Sequence, residues 1–501
     1  MSVDAEVFTP NLTLKKLERM LQKADSYQEW SELAKQHDFQ SGAEGWKEEL
    51  RCNLYDYNEV KSRYDTLQRC MDNQRPGELL YALNEGVHGN MGGMGRPVLY
   101  TRSKFGTKKL IDDYVSTIAE ALEYISDCPE SIISYAEKLD FFRRASHCYG
   151  RSALLLSGGV GLIYFHHGVV QELINHDLLP NVISGASAGA IISAQLGTMT
   201  NDELKGDYFL HKRYTESQRT RFLDLFLGRL SEEEIYEAKE RTLDEIIPRD
   251  ITFQEAFELT GRYINISISP SEKHQNSRLM NAITSPNVYI RSAVSASFSV
   301  PGVIPPERLY AKGFNGKARP YLENRRWVDG SVSGDLPTKR LSRLYGVNHF
   351  IVSQINPLVV PFIEDVKARQ RKGFRKTLTT SAVSLANEAL VVAERLLARG
   401  GQTGSSMAAK LAYLIRVMEQ TYLGDINILL ENQDFKLRNV LFEFKEGEIE
   451  ALIRAGRHST WPKLAMVTNA ALISKTLDNI LETLNREGIH DNQPSVHHLY
   501  S

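Results

Sequence analysis

A short apolar run, a glycine-bounded turn and a helix-favouring run follow one another between residues 182 and 196. The run Val182-Ile183-Ser184 leads into Gly185-Ala186-Ser187-Ala188-Gly189, and residues 190–196 are rich in alanine, isoleucine and leucine. A strand, a sharp turn and a helix in this order are the context in which a G-x-S-x-G segment forms a nucleophile elbow. The segment therefore predicts strands that are followed by helices, and it makes Ser187 a candidate nucleophile.

The two glycines lie two residues before and two residues after the serine. An elbow holds its serine in a strained backbone conformation, and large side chains at those two positions would collide, so Gly185 and Gly189 fit there. The serine then stands at a helix N-terminus, where the dipole and the free amides favour developing negative charge. Such short patterns also arise by chance or in turns that pack helices, so the assignment needs partner residues.

The surrounding region, residues 149–360, alternates between short apolar runs and helical patterns. Short continuous apolar runs are typical of buried strands in a mostly parallel sheet, and strand–helix alternation indicates an α/β fold. We predict strands at 153–156, 182–183, 264–268, 288–290, 327–328 and 349–352. Apolar residues at helical spacing on both sides predict a helical N-terminal domain over 1–148 and a helical C-terminal region over 361–501.

A second glycine-rich turn, Ser157-Gly158-Gly159-Val160-Gly161, directly follows the first predicted strand and precedes a helical pattern. Turns of this kind present backbone amides outward. A tetrahedral oxyanion needs two or three such donors, and losing one costs about 10²–10³ in rate. A plain structural turn remains an alternative. A dinucleotide-binding turn is disfavoured, because no acidic residue ends a second strand about 20 residues further on.

A serine hydroxyl needs a proton acceptor, and two kinds of residue compete for that role. Asp329 lies in Trp327-Val328-Asp329-Gly330-Ser331, although Asp-Gly is also a common turn. With an ordinary pKa near 4, an aspartate is a weak base unless burial raises the pKa or the proton leaves together with the attack. The alternative is a histidine after the serine, the available ones being His349, His458, His490, His497 and His498.

With these residues in hand, the chain resembles the patatin-like phospholipase family, and within it the intracellular triacylglycerol lipases of fungi and plants and their bacterial relatives. The resemblance covers nearly the whole chain, and its N-terminal part resembles the domain of unknown function that precedes the catalytic domain in those lipases. Segments that carry it include 27–30, 55–57, 92–95, 106–108, 149–154, 284–288, 296–297, 301–302, 354–357, 424–426 and 460–462.

The resemblance implies a three-layer α/β/α core and a Ser/Asp dyad that works without histidine, cofactor or metal. By resemblance Ser187 is the nucleophile and Asp329, followed by Gly330, is the base. The oxyanion amides come from the loop Gly158, Gly159, Val160 and Gly161. One position departs from the family, because the loop usually has another glycine five residues after its first, where this chain has Ile163. If the family's backbone conformation at this position requires glycine, Ile163 would displace the amides that donate to the oxyanion.

Composition bears on the binding partners, the cysteine chemistry and the cellular location of the protein. The net charge of −2 gives no global case for nucleic-acid binding. The four cysteines lack CxxC spacing, which predicts free thiols in a reducing compartment rather than a zinc site or redox pair. The N-terminus lacks an apolar signal core, and no uncharged apolar run approaches the ~18 residues that span a bilayer. We therefore expect a cytoplasmic protein that visits a membrane or lipid-body surface.

The expected partner is a lipid at such a surface. Basic residues between 367 and 376 precede an apolar helical pattern over 378–397, and this arrangement either docks on an anionic membrane or packs against the protein. Triacylglycerol, phospholipid and lysophospholipid share the same ester carbonyl, so all three stay open as substrates. A histidine-dependent α/β-hydrolase and a non-catalytic lipid-binding protein are the two other hypotheses, and no sequence feature indicates an oligomeric state.

Overall fold

The computed structural model describes most of the chain in two compact units. The described residues are 12–87, 89–206, 231–247, 249–272, 276–301, 304–330, 336–355, 423–430 and 446–491. The first unit contains the described residues of Met1–Ser152, Gly346–His349 and Trp461–Ser501, and the second contains those of Ala153–Tyr345 and Phe350–Thr460. The domain limits drawn at residues 148 and 360 stay predictions.

The first unit is helical, as its apolar spacing predicts. Serine or aspartate side chains cap several helices: Ser26, Asp56 and Ser134 each accept a hydrogen bond from the backbone N–H three residues on. The last helix lies within the C-terminal region whose apolar spacing predicts helix. The helices are α1 Leu14–Leu21, α2 Tyr27–Ser41, α3 Ala43–Glu48, α4 Tyr57–Asp72, α5 Pro76–Gly86, α6 Lys109–Asp127, α7 Tyr135–Tyr149 and, at the end of the chain, α16 Leu464–Asp491.

A seven-stranded sheet forms the centre of the second unit. Its order is β4-β3-β2-β1-β8-β9, with β7 also paired to β3. Strands β1, β2 and β3 are parallel, as are β8 and β9, whereas β4 and β7 run antiparallel to β3. The strands are β1 Arg151–Leu156, β2 Val182–Gly185, β3 Tyr263–Pro270, β4 Arg278–Met280, β5 Leu309–Lys312, β6 Ala318–Tyr321, β7 Trp327–Asp329, β8 Val347–Gln354 and β9 Ile426–Leu429.

Helices flank this sheet, and the predicted α/β class is confirmed. Helix α8 begins seven residues after the end of β1, and α9 begins three residues after the end of β2, which is the strand–helix alternation seen in the sequence. They are α8 Ile163–Asn175, α9 Ala188–Thr198, α10 Asn201–Lys205, α11 Glu232–Ile246, α12 Phe253–Thr260, α13 Ile290–Ser297, α14 Thr338–Tyr345 and α15 Glu446–Thr460. Among the described residues, no helix combines the length and the apolar character needed to cross a bilayer.

One predicted strand is wrong. Val288 makes only an isolated bridge to Ala311, and Ile290 begins α13. Both side chains are buried, so their apolar character reflects packing into the core rather than membership of the sheet. The short strands β4, β5, β6 and β9 were not predicted. β9 lies in the C-terminal region that apolar spacing marks as helical, and it extends the sheet at its edge.

Candidate active site

Ser187 lies in the turn between β2 and α9. Its backbone has φ 51° and ψ −119°, a region that residues with a side chain rarely adopt. Such a conformation costs about 1–3 kcal/mol and persists only where the surroundings enforce it. The residue is 3 % exposed and stands at the N-cap of α9. A strand, a strained serine and a helix thus follow one another in the order that a nucleophile elbow requires.

The two flanking glycines are required by close backbone approach. A Cβ on Gly185 would lie 2.2 Å from the carbonyl oxygen of Gly189. A Cβ on Gly189 would lie 2.0 Å from the carbonyl oxygen of Leu156, the last residue of β1. Neither contact can be relieved by a side-chain rotation, because the obstacle in each case is main chain. The elbow is therefore pressed against the end of β1, where the glycine-rich loop begins.

A buried serine from α13 supports the elbow. The Ser187 N–H donates to Ser297 Oγ at 3.0 Å, and Ser297 Oγ donates to the carbonyl oxygen of Ser267 at 2.8 Å. Ser297 is fully buried, so the hydrogen bond between its hydroxyl and the Ser187 N–H is shielded from water. A buried amide requires a partner, and the Ser297 hydroxyl supplies it while joining the elbow to β3.

Asp329 is the last residue of β7 and is 0 % exposed. It stands opposite Ile268 of β3, and its N–H donates to the carbonyl oxygen of Ser299 at 2.9 Å. A Cβ on the next residue, Gly330, would lie 2.0 Å from the Ser267 carbonyl oxygen, so the Asp-Gly pair requires glycine there.

Strand β3 lies between the two strands that lead to the predicted dyad residues. Gly185, two residues before the serine, pairs with Ile266 on one side of β3, and Asp329 pairs with Ile268 on the other. Residues far apart in sequence are thereby brought to the same short stretch of one strand. Because neighbouring strands lie about 4.8 Å apart, the two backbones are separated by roughly 10 Å across β3.

The glycine-rich loop connects β1 to α8 through a single 3₁₀ turn, Val160–Leu162. A Cβ on Gly159 would lie 2.5 Å from Ile355 Cγ1, so this position is tightly enclosed. The first amides of a helix have no intrahelical acceptor and form a natural anion site. The segment Gly158–Gly161 therefore stands where such amides can serve an anion.

Polar side chains buried behind the loop hold its first residue. Ser157 N–H donates to the Ser353 carbonyl oxygen at 3.1 Å, and Ile355 N–H donates to Ser157 Oγ at 2.9 Å. His166 lies 2.9 Å from the Ser157 carbonyl oxygen through Nε2 and 2.7 Å from Ser353 Oγ through Nδ1. A carbonyl oxygen only accepts, so Nε2 carries the proton and Nδ1 accepts from the serine hydroxyl. Burial lowers the pKa of His166 to about 4, which keeps the ring neutral.

The Ile163 departure has a structural explanation. Ile163 is the first residue of α8, with φ −49° and ψ −32°, and its side chain is buried. This is the ordinary right-handed helical region, which every residue type adopts, so the backbone here does not require glycine.

The histidines considered as alternative bases lie elsewhere in the fold. His349 is in the first half of β8 and its Nδ1 is 3.1 Å from Ser152 Oγ, whereas sites in parallel sheets form at the carboxyl ends of strands. His458 belongs to α15 and His490 to α16, while His497 and His498 fall outside the described residues. The basic segment 367–376 and the helical pattern 378–397 also fall outside them.

Sequence reasoning missed the two supporting side chains, Ser297 and His166. Ser297 is part of a segment that carries the family resemblance, but nothing local to it indicates a bond to a residue 110 positions away. His166 precedes the serine, whereas only later histidines were weighed. Within the described residues no cluster of three or more metal-ligating side chains occurs.

The fold and the site geometry define an α/β protein with a strained serine between a strand and a helix. Comparison with known proteins then identifies the family. The profile described as "Patatin-like phospholipase" matches residues 154–341, and "Domain of unknown function (DUF3336)" matches residues 8–147. Triacylglycerol lipase ptl2 of Schizosaccharomyces pombe is 32% identical over 93% of this chain and 75% of its own length. The chain belongs to the patatin-like phospholipase family.

Other relatives are longer than this chain. Triacylglycerol lipase 4 of Saccharomyces cerevisiae is 32% identical over 89% of this chain, and triacylglycerol lipase SDP1L of Arabidopsis thaliana is 31% identical over 93% of it. The matched regions are 51% and 58% of those two proteins, so the chain spans little more than half their length. VipD of Legionella pneumophila has a TM-score of 0.32 and 12% identity over 67% of each chain, a likeness too low to support an inference.

Proposed function

We propose that this protein is a lipid acyl-ester hydrolase of the triacylglycerol lipase or phospholipase type, with Ser187 as nucleophile and Asp329 as general base. The observation that carries the proposal is the strained backbone of Ser187 at the N-cap of α9, joined through β3 to the buried Asp329. The names of its relatives, triacylglycerol lipases of two yeasts and a plant, support the substrate class.

In the first half of the proposed reaction, Ser187 Oγ attacks the ester carbonyl carbon while its proton passes to the Asp329 carboxylate. The tetrahedral intermediate then collapses, the C–O bond to the alcohol breaks, and the alcohol leaves with that proton. The acyl group remains on Ser187 as an ester. The carboxylate acts directly on the hydroxyl, so no histidine is needed.

In the second half, a water molecule attacks the acyl-enzyme carbonyl and gives a proton to Asp329. Collapse of the second intermediate breaks the bond to Ser187 Oγ, which recovers the proton, and a fatty acid is released. In both halves the negative charge on the carbonyl oxygen is stabilised by amides of the loop Gly158, Gly159, Val160 and Gly161 and by the N-terminus of α9. We further propose that the enzyme works at the surface of membranes or lipid bodies, where such substrates reside.

The test is fatty-acid release from triolein emulsion and from phosphatidylcholine vesicles by wild type, Ser187→Ala and Asp329→Asn. Loss of the nucleophile is expected to lower kcat at least about 10³-fold, and loss of the base at least about 10²-fold. Ser184→Ala is the matched control, because Ser184 is also buried in β2 and its hydroxyl has no hydrogen-bond partner among the described residues. Its kcat should stay within about twofold of wild type, as for substitutions that touch no functional group.

The preferred lipid in this assay identifies the enzyme as a lipase or a phospholipase. Wild-type-like activity of Ser187→Ala would contradict the proposed nucleophile, and full activity of Asp329→Asn would contradict the proposed base. A wild-type protein that binds both lipids but releases no fatty acid from either would favour the non-catalytic lipid-binding hypothesis.

A further inference from the structure

The β5–β6 hairpin, residues 309–321, presents an aromatic side chain at its tip. Phe314 is 109 % exposed, the highest value among the large apolar side chains in the described ranges. The turn that carries it is held by bonds from Gly313 N–H to the Lys317 carbonyl at 2.8 Å and from Gly316 N–H to the Gly313 carbonyl at 2.9 Å. The hydrogen-bonded turn therefore holds the backbone of Phe314 in a position where its side chain is exposed to solvent.

The base of the hairpin is anchored beside the proposed base residue. Glu307 and Trp327 exchange two backbone hydrogen bonds of 2.8 Å, so the chain leaves this pair, forms the hairpin and returns to it. Trp327 begins β7, which ends two residues later at Asp329. On the edge of β5 that faces away from β6, Lys312 N–H donates to the Asn287 carbonyl at 2.8 Å. The hairpin is therefore rooted at the strand that carries the candidate catalytic aspartate.

Strand β5 of the hairpin has one protein-facing side and one solvent-facing side, whereas no residue of β6 is fully buried. Leu309 and Ala311 are buried, whereas Tyr310 and Lys312, which alternate with them along β5, are exposed. Leu322, directly after β6, is also exposed. Isolated exposed apolar residues are normal on protein surfaces, but here they share one short element with a strong positive charge.

Residues 308–326 contain six basic side chains and one acidic one, a net charge of +5 in a chain whose total is −2. The basic residues are Arg308, Lys312, Lys317, Arg319, Arg325 and Arg326, and the acidic one is Glu323. Lys312 pairs with Glu255 at 2.5 Å. Lys317 and Arg319, three and five residues after Phe314, are both exposed. An aromatic tip with basic residues just behind it matches an anionic lipid surface, with an apolar interior below charged headgroups.

We propose that the β5–β6 hairpin docks the protein on an anionic lipid surface, with Phe314 entering the acyl region and Lys317 and Arg319 facing the phosphate headgroups. This inference deepens the proposed function and rests on it, since it assigns the surface through which the enzyme reaches its substrate. Because the hairpin returns to the chain at Trp327, two residues before Asp329, we expect docking through it to bring the site close to the membrane.

The experiment measures partition of the full chain onto phosphatidylcholine vesicles with and without phosphatidylserine. Phe314→Ala is expected to weaken partition about tenfold on both kinds of vesicle, because the buried aromatic ring is lost. Lys317→Ala/Arg319→Ala is expected to weaken it about 30-fold on phosphatidylserine vesicles and about twofold or less on neutral ones. Added salt should weaken wild-type binding to the anionic vesicles, whereas inorganic phosphate at the same ionic strength should compete no better than chloride.

Phe39→Ala is the matched control, because Phe39 is 63 % exposed on α2, far along the chain from the hairpin. Phe314→Trp reports insertion directly. Its fluorescence should shift to the blue on anionic vesicles and be quenched by brominated acyl chains, whereas the fluorescence of Phe39→Trp should show neither change. For Phe314→Ala, hydrolysis of vesicle lipid should fall about ten times further than hydrolysis of a soluble short-chain ester.

Partition of Phe314→Ala equal to that of Phe39→Ala, or a Phe314→Trp emission that is unchanged by vesicles, would overturn the docking role. The same assays with Ser187→Ala separate the two ideas. If Ser187→Ala abolishes hydrolysis while the hairpin variants bind like wild type, only the docking inference fails. If Ser187→Ala remains active, the proposed function fails whatever the hairpin does.

Discussion

Ser187 is held in a backbone conformation that it would not adopt alone, and Ser297 is the side chain that touches its amide. The Ser297 hydroxyl accepts from Ser187 N–H and donates to the β3 carbonyl of Ser267, which also lies against Gly330. Ser299, two residues further on, receives the N–H of Asp329 through its carbonyl. The last residue of α13 and the second residue after it thus contact the backbones of the two proposed dyad residues, and we interpret Ser297 as a positioning residue.

Replacing Ser297 by alanine is expected to lower kcat about 10- to 100-fold with little change in KM, because an unsatisfied buried N–H costs about 1–3 kcal/mol and the elbow relaxes. Ser474→Ala is the matched control, since that buried hydroxyl donates to the Ala471 carbonyl of its own helix, at 3.0 Å. Steady-state kinetics and thermal unfolding are measured together. If the alanine variant does not fold, Ser297→Cys is measured in its place. A wild-type kcat in the folded variant would rule out the positioning role.

Helix α8, which begins at the end of the glycine-rich loop, packs against α15 through two glycines. A Cβ on Gly168 would lie 2.0 Å from the Ile453 carbonyl oxygen, and one on Gly456 would lie 2.2 Å from the Phe165 carbonyl oxygen. The nearly buried side chain of Glu172 receives Arg457 Nε at 2.7 Å. The two helices therefore approach backbone to backbone, and this contact supports the helix that follows the loop.

Gly168→Ala is expected to lower the free energy of unfolding by about 1–3 kcal/mol, because the added methyl group forces the two backbones apart. Gly447→Ala in α15 is the control, since a Cβ there meets nothing within 4 Å. That change should be neutral or stabilise by up to about 1 kcal/mol through helix propensity. Urea unfolding of both variants makes the comparison, and equal stabilities would show that the close crossing is not a constraint.

At the scale of the whole molecule, two adjacent buried histidines tie folding stability to pH. Burial lowers the pKa of both His166 and His167 to about 4, from an ordinary value near 6.5. The unfolded chain therefore binds more protons than the folded one between these values. Their contribution is fully present above pH 6.5 and is lost as the pH falls from 6.5 to 4, at about 1.4 kcal/mol per pH unit for each ring.

The variant His166→Gln is expected to reduce this slope by about 1.4 kcal/mol per pH unit near pH 5, because one titrating ring is removed. Glutamine retains an amide donor that can reach the Ser157 carbonyl, so most of the stability at pH 7 should remain. Urea unfolding at several pH values measures the slope. An unchanged slope would mean that His166 does not titrate on unfolding.

How far the sequence predicts this molecule depends on whether the signal is local. The Ser187 elbow was predictable because strand, glycines and helix lie within 15 residues, and the structure contains that turn. Ser297 and His166 were not, because their roles come from hydrogen bonds across the fold that leave no pattern near either residue. The strand expected at 288–290 failed because burial alone does not distinguish a core-packed turn from a sheet strand.

The most direct measurement of the central claim is labelling of the full chain with a fluorophosphonate, followed by mass mapping of the modified peptide. We predict one adduct, on Ser187, that is absent from Ser187→Ala and present in Ser184→Ala. An adduct on another residue, or lipid hydrolysis by a protein that the reagent does not modify, would contradict the account.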